Sequence, residues 1–240
     1  MRRLLYASTI AVATALVAPV VYTAAFQGRD QDRVVPGGGI TAPGWQGSVD
    51  AASARFNHTV KDSKFAVEGG VFKLNIGPAA VYWNPANVAK GDYTVKGTFF
   101  EATFQTVNDH PHPYGPFIAG NKMGQPGQNL LYCSAYGDGK FILRLFGNGE
   151  GGAAAVTNLN ARGEANPAVN KAEGIGKPVT QEIALSVKGD SVTCSINGTV
   201  VATKTKAELV GPGKLDSLDG IFGIRVSHNV DLDVKGFGKS

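Results

Sequence analysis

Two histidines and an aspartate stand together in the segment Asp109-His110-Pro111-His112-Pro113-Tyr114. Alternate residues of an extended backbone point the same way, so His110 and His112 share one side. Imidazole nitrogens are common ligands of transition metals, and Asp109 is placed to add an oxygen ligand or to orient a ring. His228 is the candidate third ligand. The alternative is that the prolines shape a turn, one histidine bonds to backbone, and no metal binds.

Aromatic side chains next to polar ones indicate sugar binding as a second type of chemistry. An apolar ring face stacks on sugar C–H groups, while Asn and Asp side chains bind hydroxyls. The segment Tyr82-Trp83-Asn84, the pair Tyr132 and Tyr136, and Tyr114 beside the histidines fit this pattern. The alternative is that these rings fill a core. Because strand alternation places Tyr82 and Trp83 on opposite faces, we expect one of the two to be exposed.

The two cysteines, Cys133 and Cys194, lie in different predicted strands. In an oxidising compartment they are candidates for one disulfide, and the alternative is a pair of buried thiols. A bridge needs Cα atoms within about 7 Å, which the sequence does not specify.

The N-terminus carries the pattern of an export signal. Arg2 and Arg3 precede an apolar run with no further charge until Arg29, as in a signal peptide, which we assign to residues 1–25. Small residues favour cleavage after Ala25, whereas the length of the run leaves an uncleaved membrane anchor open. We expect a periplasmic or extracellular protein.

The charge balance gives no support for a nucleic-acid partner. The chain has 23 Lys and Arg against 19 Asp and Glu, and loss of residues 1–25 leaves 21 against 19. No basic stripe remains to follow a phosphate backbone. A membrane partner is expected only if the N-terminal segment is retained. The sequence also has no nucleotide, nucleophile-elbow or paired CxxC motif, so no cofactor is expected apart from the metal ion left open above.

The rest of the chain is predicted to be one all-β domain. Residues 26–44 combine charge, Gly and Pro without periodicity, which predicts a flexible linker, and the domain is assigned to residues 45–240. Short alternating segments are separated by Gly, Asn, Asp and Pro, with no sustained helical spacing. The predicted strands are 45–50, 64–68, 71–76, 79–83, 93–104, 115–120, 129–136, 140–147, 181–187, 191–197, 199–204 and 221–234.

The local sequence predicts three turns, at Gly137-Asp138-Gly139, Lys188-Gly189-Asp190 and Asn197-Gly198. Each lies between two alternating segments and predicts a hairpin. Asn197-Gly198 is the strongest of these signals, since both residues tolerate positive φ.

The order of these elements resembles a known superfamily. The segments EIALSVKGDSVTCSINGTVVATKTK, DGIFGIRVSHNVDLDVKGF and HPYGPFIAGN, the last ahead of LLYCSAYGDGKFILRLFG, resemble the concanavalin-A-like sandwich domains grouped as 3-keto-disaccharide hydrolases, and more loosely laminin-G-like domains. The resemblance covers roughly residues 45–240 in strand order. It implies a two-sheet antiparallel β-sandwich of the jelly-roll type and uncharacterised exported bacterial relatives.

Related glycoside hydrolases of family 16 carry catalytic carboxylates at alternating positions of one strand. The nearest match is the pair Asp231 and Asp233, but Lys235 and Gly236 stand where a second catalytic Glu is expected. This departure argues against retaining hydrolysis. The alternative is that both aspartates form the solvent-facing half of a final strand.

Three functions remain. The leading hypothesis is an exported carbohydrate-binding module without a catalytic dyad. The second, implied by the resemblance, is a glycosidase-type hydrolase acting on (3-keto-)disaccharides. The third is a structural or surface interaction domain. Clustering of His110, His112 and His228 would favour a metal-assisted site, whereas burial of Trp83 and the tyrosines would count against a sugar site at those rings.

Overall fold

The computed structural model describes residues 31–107, 109–149 and 154–240, with the side chain of Ala154 left out. Chain contacts divide the protein into residues 1–31 and a compact unit, Asp32–Ser240. The predicted signal segment at residues 1–25 lies outside the described residues. Within the described part of the chain, no helix has both the length and the apolar character needed to cross a bilayer.

The described unit is all-β, as predicted. Two single-turn helices, α1 (Ala51–Ala54) and α2 (Lys206–Leu209), and one 3-10 turn (Val60–Asp62) interrupt the strands. The described strands are β1 Gly39–Ile40, β2 Gln46–Val49, β3 Lys64–Glu68, β4 Val71–Ile76, β5 Ala80–Ala89, β6 Tyr93–Glu101, β7 Tyr114–Asn121, β8 Asn129–Tyr136, β9 Lys140–Asn148, β10 Ala154–Asn158, β11 Glu164–Ala165, β12 Val179–Lys188, β13 Ser191–Ile196, β14 Thr199–Thr205, β15 Gly220–Val226 and β16 Val230–Lys239.

The strands form two sheets. The first sheet has the order β1-β3-β4-β16-β6-β12-β13-β14, and the second has the order β10-β9-β8-β7-β15-β5-β2, with β11 also paired to β9. Neighbours pair antiparallel except for β1 and β3. The main core lies between the sheets and takes alternate residues from both, as in a β-sandwich.

The three predicted hairpins are confirmed. Asn197 and Gly198 have φ values of 49° and 81°, as the tight turn between β13 and β14 requires. Gly189 and Gly139 also have positive φ at the other two turns. Local turn chemistry therefore sets these registers.

The prediction of one strand over 221–234 is wrong. The chain leaves the second sheet after Val226, passes through Ser227-His228-Asn229, and enters the first sheet at Val230. Asn229 has a φ of 54°, a left-handed conformation that Asn tolerates and that interrupts the extended backbone just before β16. His228 therefore lies in a link between sheets.

Residues 32–44, which the sequence analysis assigns to a flexible linker, group with the folded unit. β1 pairs with β3, and the backbone of Val35 donates to Asp62. The side chain of Arg33 binds the carbonyl of Ile76 at 2.9 Å and pairs with Asp231. Charge and glycine content resembled a tether, but these long-range partners order the segment.

A disulfide joins the two sheets. Cys133 of β8 and Cys194 of β13 are bridged, with Cα atoms 6.2 Å apart. Both residues are buried in the core between the sheets. We call the side of the second sheet that faces this core its inner face.

The opposite side of the second sheet, its outer face, carries an apolar cluster of its own. Its buried members are Val81, Trp83, Phe117, Leu130, Tyr132, Tyr136, Ile142 and Phe146. The loop after β7 lies over Trp83, since a Cβ added at Gly124 would be 3.4 Å from the indole ring. The second sheet is thus covered on both faces.

Candidate functional site

Strand pairing brings two of the predicted histidines together. β7 and β15 run antiparallel with Tyr114 opposite Val226. His112 lies two residues before Tyr114, and His228 lies two residues after Val226. The same antiparallel register, continued past the strand ends, places the two histidines opposite each other. The amide of Ser227 donates to the carbonyl of Pro113 at 2.9 Å, which holds that continuation in place.

His110 completes a cluster of three imidazoles. The ring centroids of His110 and His112 are 4.3 Å apart, and those of His112 and His228 are 4.1 Å apart. One ring nitrogen from each of the three histidines lies within 4.8 Å of the others. The alternation noted in the sequence, together with the strand pairing, therefore produces a three-histidine cluster.

Two carboxylates stand behind this cluster. Asp32 Oδ1 lies 2.9 Å from His228 Nδ1, and Asp109 Oδ1 lies 2.8 Å from His110 Nδ1. Burial alone would raise the pKa of Asp32, but hydrogen bonds with His228 and Ser53 hold it below its ordinary value. The hydrogen bond with His110 lowers the pKa of Asp109. Both carboxylates are thus kept ionised beside an imidazole.

His112 is the most deeply placed of the three, at 6 % exposure. Burial, followed by the nearby charges of His228 and His110, lowers its pKa to about 3. Its imidazole is therefore neutral at physiological pH, which is the form that binds a metal ion.

The cluster opens on a small pocket that we call the histidine pocket. It has a volume of about 80 Å³ and is lined by His110, Pro111, His112, Pro113, Tyr132, Tyr136, Arg144, Arg162, Arg225, Ser227 and His228. The tyrosines and two of the arginines come from the outer face of the second sheet. The pocket therefore joins that face to the histidine loop.

Arg225 is held in a fixed position beneath this pocket. Its two terminal nitrogens donate to the carboxylate of Asp50 at 2.7 and 2.6 Å. The guanidinium also lies 5.5 Å from the ring centroid of Tyr132 and 5.4 Å from that of Phe146. Asp50 compensates the charge of this buried arginine.

The predicted sugar-binding rings are buried. Tyr82 and Tyr114 have no exposed area, and the exposed fractions are 3 % for Trp83, 2 % for Tyr132 and 9 % for Tyr136. Alternation does place Tyr82 on the inner face and Trp83 on the outer face. The expectation that one of the two is exposed is wrong because the outer face is covered as well.

Asp231 and Asp233 are not among the residues that line the histidine pocket, and both are engaged in ion pairs. Asp231 pairs with Arg33 and accepts from Asn75 at 3.0 Å. Asp233 accepts from the ammonium group of Lys73 at 2.6 Å. Val230, Leu232 and Val234 on the same strand are buried. This is the arrangement of a half-buried strand.

A larger pocket lies elsewhere, at an edge of the sandwich. It has a volume of about 450 Å³ and is lined by Trp45, Phe72, Ala86, Asn87, Val88, Phe222, Phe237, Gly238 and Lys239. The rings of Trp45 and Phe72 pack at 4.8 Å, and Trp45 also packs on Phe65 at 5.0 Å. These aromatic residues pack against the core, and they are not among the rings predicted to bind sugar.

A buried glutamate lies in the core near Tyr114. Glu101, at the end of β6, is 5 % exposed. Burial raises its pKa to about 7, although interactions with Tyr114 and the backbone of Gln105 partly oppose this shift. Its carboxylate is close to Gly137, where an added Cβ would be 2.9 Å from Oε2.

No protein-family model matches the chain, and no curated protein matches its sequence. Solved structures share the sandwich. A protein of unknown function with a galectin-like fold from Bacillus subtilis aligns over 81 % of this chain and 88 % of its own, at 13 % identity and a TM-score of 0.51. This likeness confirms the fold class.

Two further structures align at lower scores. The carbohydrate-binding module CBM66 from Bacillus subtilis covers 84 % of this chain and 98 % of its own, at 13 % identity and a TM-score of 0.48. The laminarinase catalytic domain from Thermotoga maritima covers 82 % and 91 %, at 12 % identity and a TM-score of 0.48.

Proposed function

We propose that this protein is an exported carbohydrate-binding β-sandwich module whose ligand site is the histidine pocket, and that the pocket holds a divalent transition-metal ion. The observation that carries the proposal is the convergence of His110, His112 and His228, with ring nitrogens within 4.8 Å of one another. Three histidines with this spacing are a donor set suited to Zn²⁺ and related ions.

The carboxylates behind the rings support the assignment of a metal. Ligating histidines usually donate their other ring nitrogen to a carboxylate, which orients the ring and strengthens it as a ligand. Asp32 and Asp109 contact the Nδ1 atoms of His228 and His110. In the proposal, Nε2 of each of these rings is the ligand atom.

Carbohydrate is the ligand class that fits the rest of the pocket. Three protein ligands leave a fourth position on the metal for an exogenous group, which a sugar oxygen can occupy. Tyr136 borders the pocket at 9 % exposure, and Arg144 lines it with hydrogen-bond donors. Rings beside convergent donors are typical of sugar sites. CBM66, which shares the sandwich, is named as a carbohydrate-binding module.

Export is part of the proposal. The charged and apolar pattern of residues 1–25 is typical of a signal peptide. The Cys133–Cys194 disulfide is of the kind that persists in the periplasm or outside the cell. Fractionation of cells producing the full chain tests this part, and recovery of the protein in the cytoplasm would contradict it.

Metal binding is tested by titrating chelator-stripped protein with Zn²⁺ in a calorimeter. We expect one ion per chain and a loss of affinity greater than about 100-fold in His112→Ala, since a ligand matters more than its outer-shell partner. His58→Ala is the matched control, because the remaining histidine pairs with Asp62 outside the cluster. Absence of Zn²⁺ binding, or equal loss in both variants, would overturn the proposal.

Sugar binding is tested on a glycan array with Zn²⁺-loaded and stripped protein. We expect a set of glycans whose signal falls on metal removal and in His110→Ala. His110 is half exposed, so this variant tests the site with little risk to folding. A signal independent of the metal and of His110 would place the sugar elsewhere on the protein.

A hydrolase acting on (3-keto-)disaccharides is a second candidate function. A metal ion with an open position can act as a Lewis acid toward a glycoside oxygen, and the three histidines leave such a position in the proposed site. Incubation of the Zn²⁺-loaded protein with 3-keto-disaccharides and with unmodified disaccharides distinguishes the hydrolase from the binding module. Release of monosaccharide would establish the hydrolase, and binding without release would establish the module.

A further inference from the structure

We infer that the sugar bound by the histidine pocket is anionic and inserts a carboxylate or sulfate group into the pocket. The inference rests on the proposed function and specifies its ligand. Two observations carry it: uncompensated guanidinium groups at the pocket, and a pocket volume that suits one substituent.

Of the three arginines that line the pocket, one is neutralised. Arg225 forms a two-pronged ion pair with Asp50. Among the residues that the structure describes, no carboxylate lies within ion-pair distance of Arg144 or Arg162. The guanidinium groups of Arg144 and Arg162 therefore have no ion-pair partner among the described residues.

The nearby acidic groups do not remove the positive charge of these two arginines once the proposed metal is bound. Asp32 and Asp109 each contact an imidazole of the cluster. Their two negative charges offset the two positive charges of a divalent ion held by the three histidines, and the charges of Arg144 and Arg162 remain. An incoming anion is thus the group that completes the charge balance of the pocket.

Arg144 is oriented for such a ligand. Its Nε donates to Asn158 Oδ1 at 2.7 Å, and its guanidinium lies 5.9 Å from the ring centroid of Tyr132. An arginine has five N–H donors in a planar fork that matches a carboxylate or sulfate. The bond to Asn158 fixes the plane of the Arg144 guanidinium and occupies its Nε–H donor.

The size of the pocket favours a substituent over a whole sugar ring. Its volume of about 80 Å³ is well below the roughly 300 to 1,000 Å³ of typical small-molecule sites. A carboxylate or sulfate group fits that space, while the ring to which it is attached remains at the mouth, beside Arg162. Arg162 is exposed there and free to follow the ligand.

The test compares matched charged and neutral glycans by calorimetry with the Zn²⁺-loaded protein. One pair is a trigalacturonate and its methyl ester, and the other is a sulfated disaccharide and its desulfated form. We expect the anionic member of at least one pair to bind at least about tenfold tighter, the lower range for a hydrogen bond to a charged group. The pair that shows the preference identifies the anion as carboxylate or sulfate.

Variants locate the preference in the pocket. In Arg144→Gln/Arg162→Gln we expect the ratio between charged and neutral glycan to fall below about threefold, with Zn²⁺ content unchanged. The control Arg55→Gln/Lys188→Gln removes the same charge from exposed positions outside the pocket and is expected to keep the full ratio. Arg162→Gln alone, at an exposed residue, gives a partial loss even if substitution of Arg144 disturbs folding.

The outcomes separate this inference from the proposed function. Equal binding of acid and ester and of sulfated and desulfated glycan, with Zn²⁺ still bound, would overturn the inference and leave the metal-dependent module standing. A preference that survives in the double variant would also overturn it, because the charge would act from elsewhere. Loss of all glycan binding by the wild-type protein would overturn both.

Discussion

The two faces of the second sheet differ in what they contain, although both derive from the same strands. Cys133 faces the inner core and is bonded to the other sheet, while its neighbour Tyr132 faces outward over Arg225. The inner face is apolar along most of its length. The outer face combines an aromatic cluster with buried charge and ends at the histidine pocket.

In the proposed function, this difference separates residues that stabilise the fold from residues that bind the ligand. Burying apolar surface stabilises a fold, whereas burying polar groups costs free energy unless each is paired. We therefore assign ligand binding to the outer face, which carries Arg225 and Arg144 and leads to the histidines, and stability to the apolar inner face. The comparison predicts that substitutions on the inner face change unfolding and those at the pocket change ligand affinity.

The largest expected effect lies on the inner face, at the disulfide. The bridge closes a sequence separation of 61 residues, so Cys133→Ser/Cys194→Ser should lower the free energy of unfolding by about 4 kcal/mol. Urea denaturation measures this loss. The folded double variant should bind Zn²⁺ with wild-type affinity. A loss of Zn²⁺ affinity in this variant would show that the inner face also affects the pocket.

The next effect tests whether the outer face also contributes to stability. Asp50→Ala leaves the guanidinium of Arg225 buried without its partner, and Arg225 is 5 % exposed. We expect a loss of about 3 kcal/mol in urea denaturation, the range for breaking a buried pair. Arg225→Met/Asp50→Ala removes both charges and should recover part of that loss. An unchanged unfolding midpoint in Asp50→Ala would show that Arg225 finds other compensation.

A third prediction concerns the pH dependence of stability through Glu101. Its pKa in the folded protein, about 7, lies above the ordinary value of 4.5. The folded state therefore holds a proton that the unfolded state releases, so stability is greatest below about pH 4.5 and falls as the pH rises to 7. The expected loss is about 3 kcal/mol, reached once the pH has passed above 7.

Glu101→Gln is the control for this pH dependence, because the amide stays neutral at every pH. Urea denaturation at pH 4.5, 6 and 8 should show a decline in the wild-type protein that the variant lacks. A decline of the same size in both proteins would assign the effect to other groups.

The smallest expected effect is at the histidine pocket. Asp32→Asn keeps the shape of the side chain that contacts His228 but removes its charge, and we expect Zn²⁺ affinity to fall by about 10- to 100-fold. Asp62→Asn makes the same change beside His58, outside the cluster. Similar affinities for these two variants would mean that Asp32 does not support a metal ligand.

The sequence predicted the sandwich well because its signals are local. Asn197-Gly198 specifies a turn, and alternation in β8 and β9 specifies which residues enter the core. The break at Ser227-His228-Asn229 was missed, since whether a chain changes sheets depends on what packs around it. The strand-like sequence pattern over residues 221–234 continues across this break, so it gave no sign that the strand ends there.

The site was predictable only in part for the same reason. His110 and His112 alternate in one loop, and His228 was the remaining candidate near the final strand. Asp32 had no local signal, because 196 residues separate it from His228. Arg144 alternates with buried residues of a hairpin strand, and nothing in that pattern shows that the strand faces a pocket.

The position of Asp32 has a consequence for how short the protein can be made. A chain that begins at Trp45 retains most strands of both sheets but lacks Asp32 beside His228 and Arg33 beside Asp231. The carboxylate that orients one imidazole comes from the first residue of the folded unit. Removing residues 32–44 would thus weaken a site whose histidine His228 lies near the opposite end of the chain.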